Sequence, residues 1–342
     1  MSKTKVAVVG YGVIGQRLAD GAALQDDMEV VGVVDVAPTL SIRAMLDGSS
    51  LYPIYVFEDS QADAFRAEGI KVHGNLNDIL AKTDIVLDAT PAGIGAKNKE
   101  IYKSKGKKAI FQGGEKNDVA DVFFHGYANY EKGVSKDYLK LTSCNTTGFI
   151  RAVDCIDKAV GVDRVVITII RRVADPGDTH RGIIDLAMVE KVPNHQVKDL
   201  MLIMPHIEAT GALVHVPTTH GHIITIFLTP KKKLSVSDAV SLFEAHPRIK
   251  VVEIAKGFNS NSAMFRYARD KGNKRADMYE IALFKETVVT QRDDLFFTIN
   301  VPQEAVVTPE TIDAIRASIP LQTDQREALT LTNKYLGMGE RF

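Results

Sequence analysis

Val6-Ala7-Val8-Val9-Gly10-Tyr11-Gly12-Val13-Ile14-Gly15 decides the first domain: four apolar residues run into three glycines at GxGxxG spacing. Ile14, Leu18 and Ala22 then recur at helical spacing, so the glycines lie between a buried strand and an amphipathic helix. In that position Gly10 permits a tight turn, Gly12 lets backbone approach a pyrophosphate, and Gly15 lets the helix pack close to the strand. The helix N-terminus faces the anion. A second apolar run, Val30 to Val34, ends at Asp35, 20 residues past Gly15. A carboxylate there accepts from the ribose 2′-hydroxyl of NAD and repels the extra phosphate of NADP. The alternative is an ordinary strand–helix turn with an unrelated aspartate; strand, helix and downstream acid together favour a dinucleotide.

Ile85 to Ala89 and Lys108 to Phe111 add further short apolar strands, separated by segments with helical patterns such as Ala64, Ala67 and Ile70. Such alternation predicts an α/β, doubly wound parallel sheet, a Rossmann domain over residues 1–140. The texture then changes. Long β-type runs at Val165 to Ile170, Leu213 to Val216, His222 to Leu228 and Leu295 to Val301 predict an α+β catalytic domain over 141–303. Thr308-Pro309-Glu310 places a capping residue before a first-turn proline and opens a helix through Ile312, Ile315 and Arg316. The C-terminal helical segment, 304–342, is expected to return to the Rossmann domain. Lys231-Lys232-Lys233 reads as a solvated turn between elements.

At 342 residues the chain exceeds one ordinary core, in keeping with two domains. Forty-two basic against 43 acidic residues leave almost no net field, so nothing recruits nucleic acid or an anionic membrane. Its apolar stretches stop well short of the roughly 20 residues of a membrane helix. The N-terminus leaves no room for a signal peptide, which makes the cytoplasm the expected location. With only Cys144 and Cys155, two reduced thiols are expected rather than a disulfide framework.

Leu139 to Thr142 reads as a strand, Ser143 to Thr147 as a polar turn, and Phe149, Ile150, Val153 and Ile156 as the apolar face of a helix. That puts Cys144 at a helix N-terminus, where backbone N–H groups and the helix dipole favour the thiolate. The same amides can stabilise an oxyanion formed by attack on a carbonyl. Cys155, about three helical turns on, reads as a core residue. An inert buried thiol is the alternative for Cys144. A nucleophile needs a base, and histidine suits proton transfer near neutrality. His220-Gly221-His222 opens a β-type run, and the two rings share a face if the strand includes both. No cysteine or acid at ligand spacing accompanies them, so no metal is expected. Arg171 and Arg172 end a strand as a pair of guanidiniums suited to a phosphate dianion, or else to a surface ion pair.

Phe111-Gln112-Gly113-Gly114-Glu115, Ser143-Cys144-Asn145-Thr146-Thr147 and Arg171-Arg172 stand in the order and spacing of one family, and the chain resembles the archaeal, type II glyceraldehyde-3-phosphate dehydrogenases. Similarity continues through Ala174-Asp175-Pro176, Val216-Pro217-Thr218-Thr219, Gln303-Glu304, Ile312 to Ala317 and Thr332-Asn333-Lys334, covering essentially the whole chain. The resemblance implies phosphorylating oxidation of glyceraldehyde 3-phosphate with NAD(P), in glycolysis or gluconeogenesis. Cys144 is then the nucleophile, His222 the proton acceptor, and inorganic phosphate the group that opens a thioester. It also implies cofactor contacts at Val13, Ile14, Gly114, Arg172 and Gln303, substrate contacts at Ser143, Asn145 and His195, and a homotetramer; Thr146, Arg171 and Gln196 are expected to contact substrate as well.

The sequence departs from that pattern in several places. Val9 and Val13 replace polar residues of the glycine turn, and Asp35 stands where many members carry a lysine, which predicts NAD over NADP. Asn194-His195-Gln196 replaces Ser-His-His, His220-Gly221 replaces Leu-Met, and Pro302 replaces a histidine. These changes fall on the substrate side. They leave two other readings: a related semialdehyde or phosphorylated-aldehyde dehydrogenase, and a catalytically idle NAD-binding sensor.

Overall fold

The structure, a computed structural model, describes residues 3–48, 51–112, 114–172, 187–218 and 220–338. Gly113, Ala174-Asp175-Pro176 and Thr219 from the motifs above lie outside the described residues. The chain divides into two compact units, Met1–Leu141 with Thr308–Leu336, and Thr142–Val307 with Gly337–Phe342.

The first unit alternates strands and helices: β1 (Thr4–Val9), α1 (Val13–Ala23), β2 (Met28–Asp35), α2 (Leu40–Leu46), β3 (Ile54–Val56), α3 (Ala62–Arg66), α4 (Leu76–Leu80), β4 (Ile85–Asp88), α5 (Gly95–Ser104), β5 (Lys108–Phe111), β6 (Val122–Phe124), α6 (Gly126–Gly133) and β7 (Tyr138–Leu141). The strands pair in the order β3-β2-β1-β4-β5-β7-β6, every pair parallel. The order reverses between β1 and β4, the switch point beside which a doubly wound sheet binds ligands. Both faces are covered: Val6 and Val8 belong to one apolar cluster, Ala7 and Val9 to another, which is why these strands read as unbroken apolar runs.

The pattern Ala64, Ala67, Ile70 predicts too much helix. Helix α3 ends at Arg66, and Gly69 at φ 73° turns the chain into a loop.

Past the second unit, α11 (Thr308–Ser318) and α12 (Gln325–Tyr335) complete the first. Thr308 lies inside α11 rather than ahead of it, and every residue of that helix is buried, Glu310, Asp313 and Arg316 included. The sequence shows only an apolar stripe; burial on all sides follows from packing against α1, α6, α12, β5 and β7. Arg316, fully buried, donates to both Asp27 oxygens (3.0 and 2.7 Å), to Gln25 Oε1 (3.0 Å) and to Thr332 Oγ1 (2.8 Å).

The second unit starts with α7 (Cys144–Val160), followed by β8 (Val162–Arg172), β9 (Met188–Val189), α8 (His195–Ile203), β10 (Glu208–Val216), β11 (His222–Pro230), α9 (Val236–Ala245), β12 (Ile249–Val252), α10 (Asn261–Asp270), β13 (Ile281–Phe284), β14 (Val289–Gln291) and β15 (Asp294–Val301). Its mixed sheet runs β12-β13-β15-β11-β8-β10-β9, with β14 on β15. Along β11 alternate residues are buried, from His222 through Ile224, Ile226 and Leu228. That face carries α7.

Replacing Arg316 with Met leaves Asp27 and two amide or hydroxyl partners unsatisfied. Because Asp27 is one-third exposed, the expected loss of unfolding free energy is about 2–4 kcal/mol, below the full figure for a buried pair. Urea unfolding followed by circular dichroism measures it, and an unchanged midpoint contradicts the assignment.

Candidate active site

In the first unit the glycine turn has the form its spacing predicts. Gly10 adopts φ 86°, and a Cβ on it would lie 3.0 Å from the backbone of Ala89 and Thr90. A Cβ on Gly15 would lie 2.0 Å from the Gly10 carbonyl oxygen, so the turn closes only with glycine there. Gly12 differs. It is the N-cap of α1, no side chain caps that helix, and a Cβ on it would meet nothing within 4 Å. Open space in front of uncapped helix N–H groups fits a pyrophosphate, so the residues present suit a dinucleotide. Val13 is exposed and Ile14 half-buried at this end of α1.

Asp35 ends β2, but its carboxylate is already engaged: Oδ2 accepts from the Tyr11 N–H (3.1 Å) and Oδ1 from the Val36 N–H (2.7 Å). Burial pushes its carboxyl above the usual carboxylate range, and these backbone donors oppose the shift. Asp35 therefore braces the turn as well as standing where a ribose would be read. Gly114 follows β5, with Ala92 3.2 Å from where its Cβ would be. Gln112 and Glu115 carry no signature of their own in the sequence, yet they fasten this loop: Gln112 Nε2 donates to Thr311 Oγ1 (2.9 Å) and Glu115 Oε1 accepts from the Gly95 N–H (2.8 Å) at the start of α5.

In the second unit Cys144 is the first residue of α7, half-buried, one residue past the N-cap Ser143. The polar stretch expected to be a turn is mostly helix, since Asn145, Thr146 and Thr147 all lie within α7. Ser143 Oγ accepts from the Thr146 N–H (3.4 Å) and bonds its hydroxyl (2.9 Å), while the hydroxyls of Thr142 and Thr147 are 2.6 Å apart. This hydroxyl net fixes the helix start and hence the cysteine. Cys155, expected in the core, is half-buried like Cys144; burial pushes its thiol up to about 12, and its Sγ lies 3.4 Å from the Leu242 carbonyl oxygen.

His222 is fully buried at the start of β11, and its Nδ1 lies 2.5 Å from Asn145 Oδ1. Nδ1–H donates there, which leaves the lone pair on Nε2, an atom with no hydrogen-bond partner among the described residues. Burial holds this imidazole well below its ordinary range; Arg171, Arg172 and His215 push the same way, and only the Gln303 side chain opposes. A neutral ring with a free Nε2 lone pair can take a proton. His220 does not share its face, because β11 begins at His222. Gly221, at φ 66°, turns the chain, and the His220 ring packs on Phe265 with centroids 4.0 Å apart. Among the described residues no group of three His, Cys, Asp or Glu side chains could hold a metal ion.

The two arginines are not a side-by-side pair. Arg171 continues the face of the buried Val165, Ile167 and Ile169, level with His215 on β10 and next to the His222 position on β11. Arg172 points to the other face and donates to Glu304 Oε1 (3.1 Å). Only Arg171 shares the His222 face.

Asn194 caps α8, accepting from the N–H groups of Gln196 (3.0 Å) and Val197 (3.1 Å), so the change from serine there preserves a cap. Gln196 is buried, with Oε1 unpartnered among the described residues. His195 is mostly exposed, and its Nδ1 meets Glu190 Oε2 (3.1 Å); His215 Nε2 meets the other oxygen (3.2 Å). Burial works against ionisation of Glu190, but the two histidine hydrogen bonds outweigh it and hold the carboxyl below its usual range. Neither Glu190 nor His215 stands out in the sequence. Only the β10 register and the loop before α8 bring them together.

Across the whole chain this architecture has named relatives. The sequence is 39% identical over its full length to the whole of the glyceraldehyde-3-phosphate dehydrogenase of Archaeoglobus fulgidus. The chain belongs to the glyceraldehyde-3-phosphate dehydrogenase family. It is also 42% identical to the enzyme of that name from Pyrococcus abyssi, over 98% of this chain and 99% of the relative, and 38% identical to the one from Sulfolobus acidocaldarius, over 100% and 99%. The profile described as glyceraldehyde 3-phosphate dehydrogenase, C-terminal domain, matches residues 143–271, which contain Cys144 and His222. An aspartate semialdehyde dehydrogenase II structure from Vibrio cholerae superposes with TM-score 0.64 at 15% identity, over 94% of this chain and 98% of that one, and so shares the fold. Membership in the family implies NAD(P) as cofactor.

Two outcomes follow from this geometry. Gly12→Ala should leave stability within about 0.5 kcal/mol while weakening NAD binding at least tenfold, whereas Gly15→Ala should lower stability itself; calorimetric titration and urea unfolding separate the two effects. The second concerns pH. His222 binds a proton below about 6.5 when unfolded but far lower when folded. Its contribution to stability is therefore whole above pH 6.5 and is lost as pH falls below it, by up to about 1.4 kcal/mol per pH unit. The stability gap between wild type and His222→Gln should narrow from pH 7 to pH 5; a constant gap contradicts a neutral buried ring.

Proposed function

We propose that the chain catalyses phosphorylating oxidation of glyceraldehyde 3-phosphate to 1,3-bisphosphoglycerate with NAD, through a thioester on Cys144. The observation that carries this reading is the buried His222, bonded at Nδ1 to Asn145, the residue next to Cys144, with its Nε2 left to take a proton. Its relatives are named for this substrate.

Cys144 Sγ adds to the aldehyde carbon, its proton ending on the new hydroxyl. His222 Nε2 then takes that hydroxyl proton as the carbon gives up its hydride and becomes a thioester carbonyl. Gly10, Gly12, Val13, Ile14, Gly15, Asp35 and Gly114 would hold NAD, which would supply the hydride acceptor; Arg172 and Gln303 are the residues of the second unit expected to contact it. An oxygen of inorganic phosphate attacks the thioester, and Sγ leaves as thiolate. Arg171, on the His222 face, and His195 hold the phosphoryl groups, with Ser143, Thr146 and Gln196 around them. Glu190 steadies His195. We place the enzyme in glycolysis or gluconeogenesis, in the cytoplasm, and as a homotetramer. Among the described residues no helix is long and apolar enough to cross a membrane.

Purified protein should form NADH from the aldehyde plus phosphate. Cys144→Ser should abolish it, and His222→Asn should slow it roughly 100-fold to 10,000-fold. Activity that survives removal of the substrate's phosphoryl group would instead favour a semialdehyde dehydrogenase. No turnover, together with no preferential alkylation of Cys144 by iodoacetate, would leave an idle nucleotide binder. For the cofactor, Asp35→Ala should narrow the NAD over NADP preference at least tenfold, ~1.4 kcal/mol, measured as the ratio of kcat/KM values.

A further inference from the structure

Asn145 is a residue whose place in the fold is not explained by packing. Its side chain is fully buried in the first turn of α7, where asparagine is a poor helix former and a buried amide costs stability unless it is bonded. Its Oδ1 is committed to His222 Nδ1 at 2.5 Å, across 77 residues of sequence. Nδ2 has no partner among the described residues.

We infer that Asn145 is the positioning residue for the base: its amide oxygen fixes the His222 tautomer and ring orientation. This rests on the roles proposed above for Cys144 and His222. An imidazole has one N–H when neutral, and an acceptor at Nδ1 puts it there, so Nε2 is left as the proton acceptor. A carboxylate in the same place would do this too, but it would favour the imidazolium and remove the lone pair at the pH of catalysis. With Arg171, Arg172 and His215 acting on the ring from the neighbouring strands, the amide leaves their effect unopposed from this side. Because Asn145 follows Cys144 in one helical turn, nucleophile and base are held by consecutive residues. Whatever shifts the start of α7 moves both together.

The test combines a spectrum without turnover and kinetics. Solid-state nitrogen spectra of histidine-labelled protein, with the His222→Asn spectrum subtracted, report which ring nitrogen of His222 carries hydrogen. Protonated Nδ1 in wild type, lost in Asn145→Ala, is expected. Protonated Nε2, or no change in Asn145→Ala, overturns the inference even if the enzyme oxidises its aldehyde. Conversely, the expected spectrum from a protein without that activity upholds the pairing and removes only the function proposed for it.

In turnover, Asn145→Ala should lower kcat by about 100-fold with KM within about threefold, and should cost little more in a His222→Asn background. Asn145→Asp, which keeps shape and acceptor should the alanine variant fail to fold, should retain the Nδ1 proton and move the acid limb of the rate profile upward by about one pH unit or more. A rise in KM at unchanged kcat, additive with His222→Asn, would show Asn145 acting on substrate alone and overturns the proposal.

Discussion

The start of helix α7 is the constraint on which the catalytic unit depends. A helix begins with backbone N–H groups that have no partner of their own, and here Ser143 and three threonine hydroxyls settle the first turn. That turn then fixes two side chains with opposite needs. Cys144 stays half-buried, with access to a reactant, while Asn145 is sealed and spends its acceptor on His222. A neutral amide–imidazole bond in a buried place contributes only about 1 kcal/mol net, yet leaving either partner unsatisfied costs more than that. The bond is therefore less a source of stability than a condition for burying these two groups at all.

The fold was legible wherever a single local rule governed. Strands buried on both faces must be apolar throughout, so Val6–Val9, Val30–Val34, Ile85–Ala89 and Lys108–Phe111 could be read as a parallel sheet. The glycine turn was legible because each glycine answers a separate steric demand. Failures came where distant packing overrode local pattern. Helix α11 carries Glu310, Asp313 and Arg316 on faces that composition marks as solvated, and all three are buried by elements remote in sequence. Only a partner such as Asp27, 289 residues from Arg316, makes that tolerable.

For the site the division is similar. Cys144 could be read because a helix N-terminus has a sequence signature, and His222 because it matched a pattern. Glu190, His215 and the Asn145–His222 bond have no such signature: they join positions 25 and 77 residues apart, the first through strand pairing and the second through packing of α7 on β11. The arginines show the reverse error. Adjacent letters suggested a pair, but on a strand neighbours face opposite ways, and the register assigns Arg171 to the His222 face and Arg172 to Glu304.

That separation bears on how charge is used. A guanidinium on the His222 face attracts an anionic substrate and, by the same field, lowers the proton affinity of the ring. The two effects do not compete, because a base that must accept a proton has to be unprotonated first. A carboxylate behind the histidine would instead raise the proton affinity of the ring. Here the group behind His222 is an amide, and the nearby carboxylate, Glu190, is committed to His195 and His215. Positive charge on one side and a neutral acceptor on the other make the same demand of the ring, namely that it remain a neutral base.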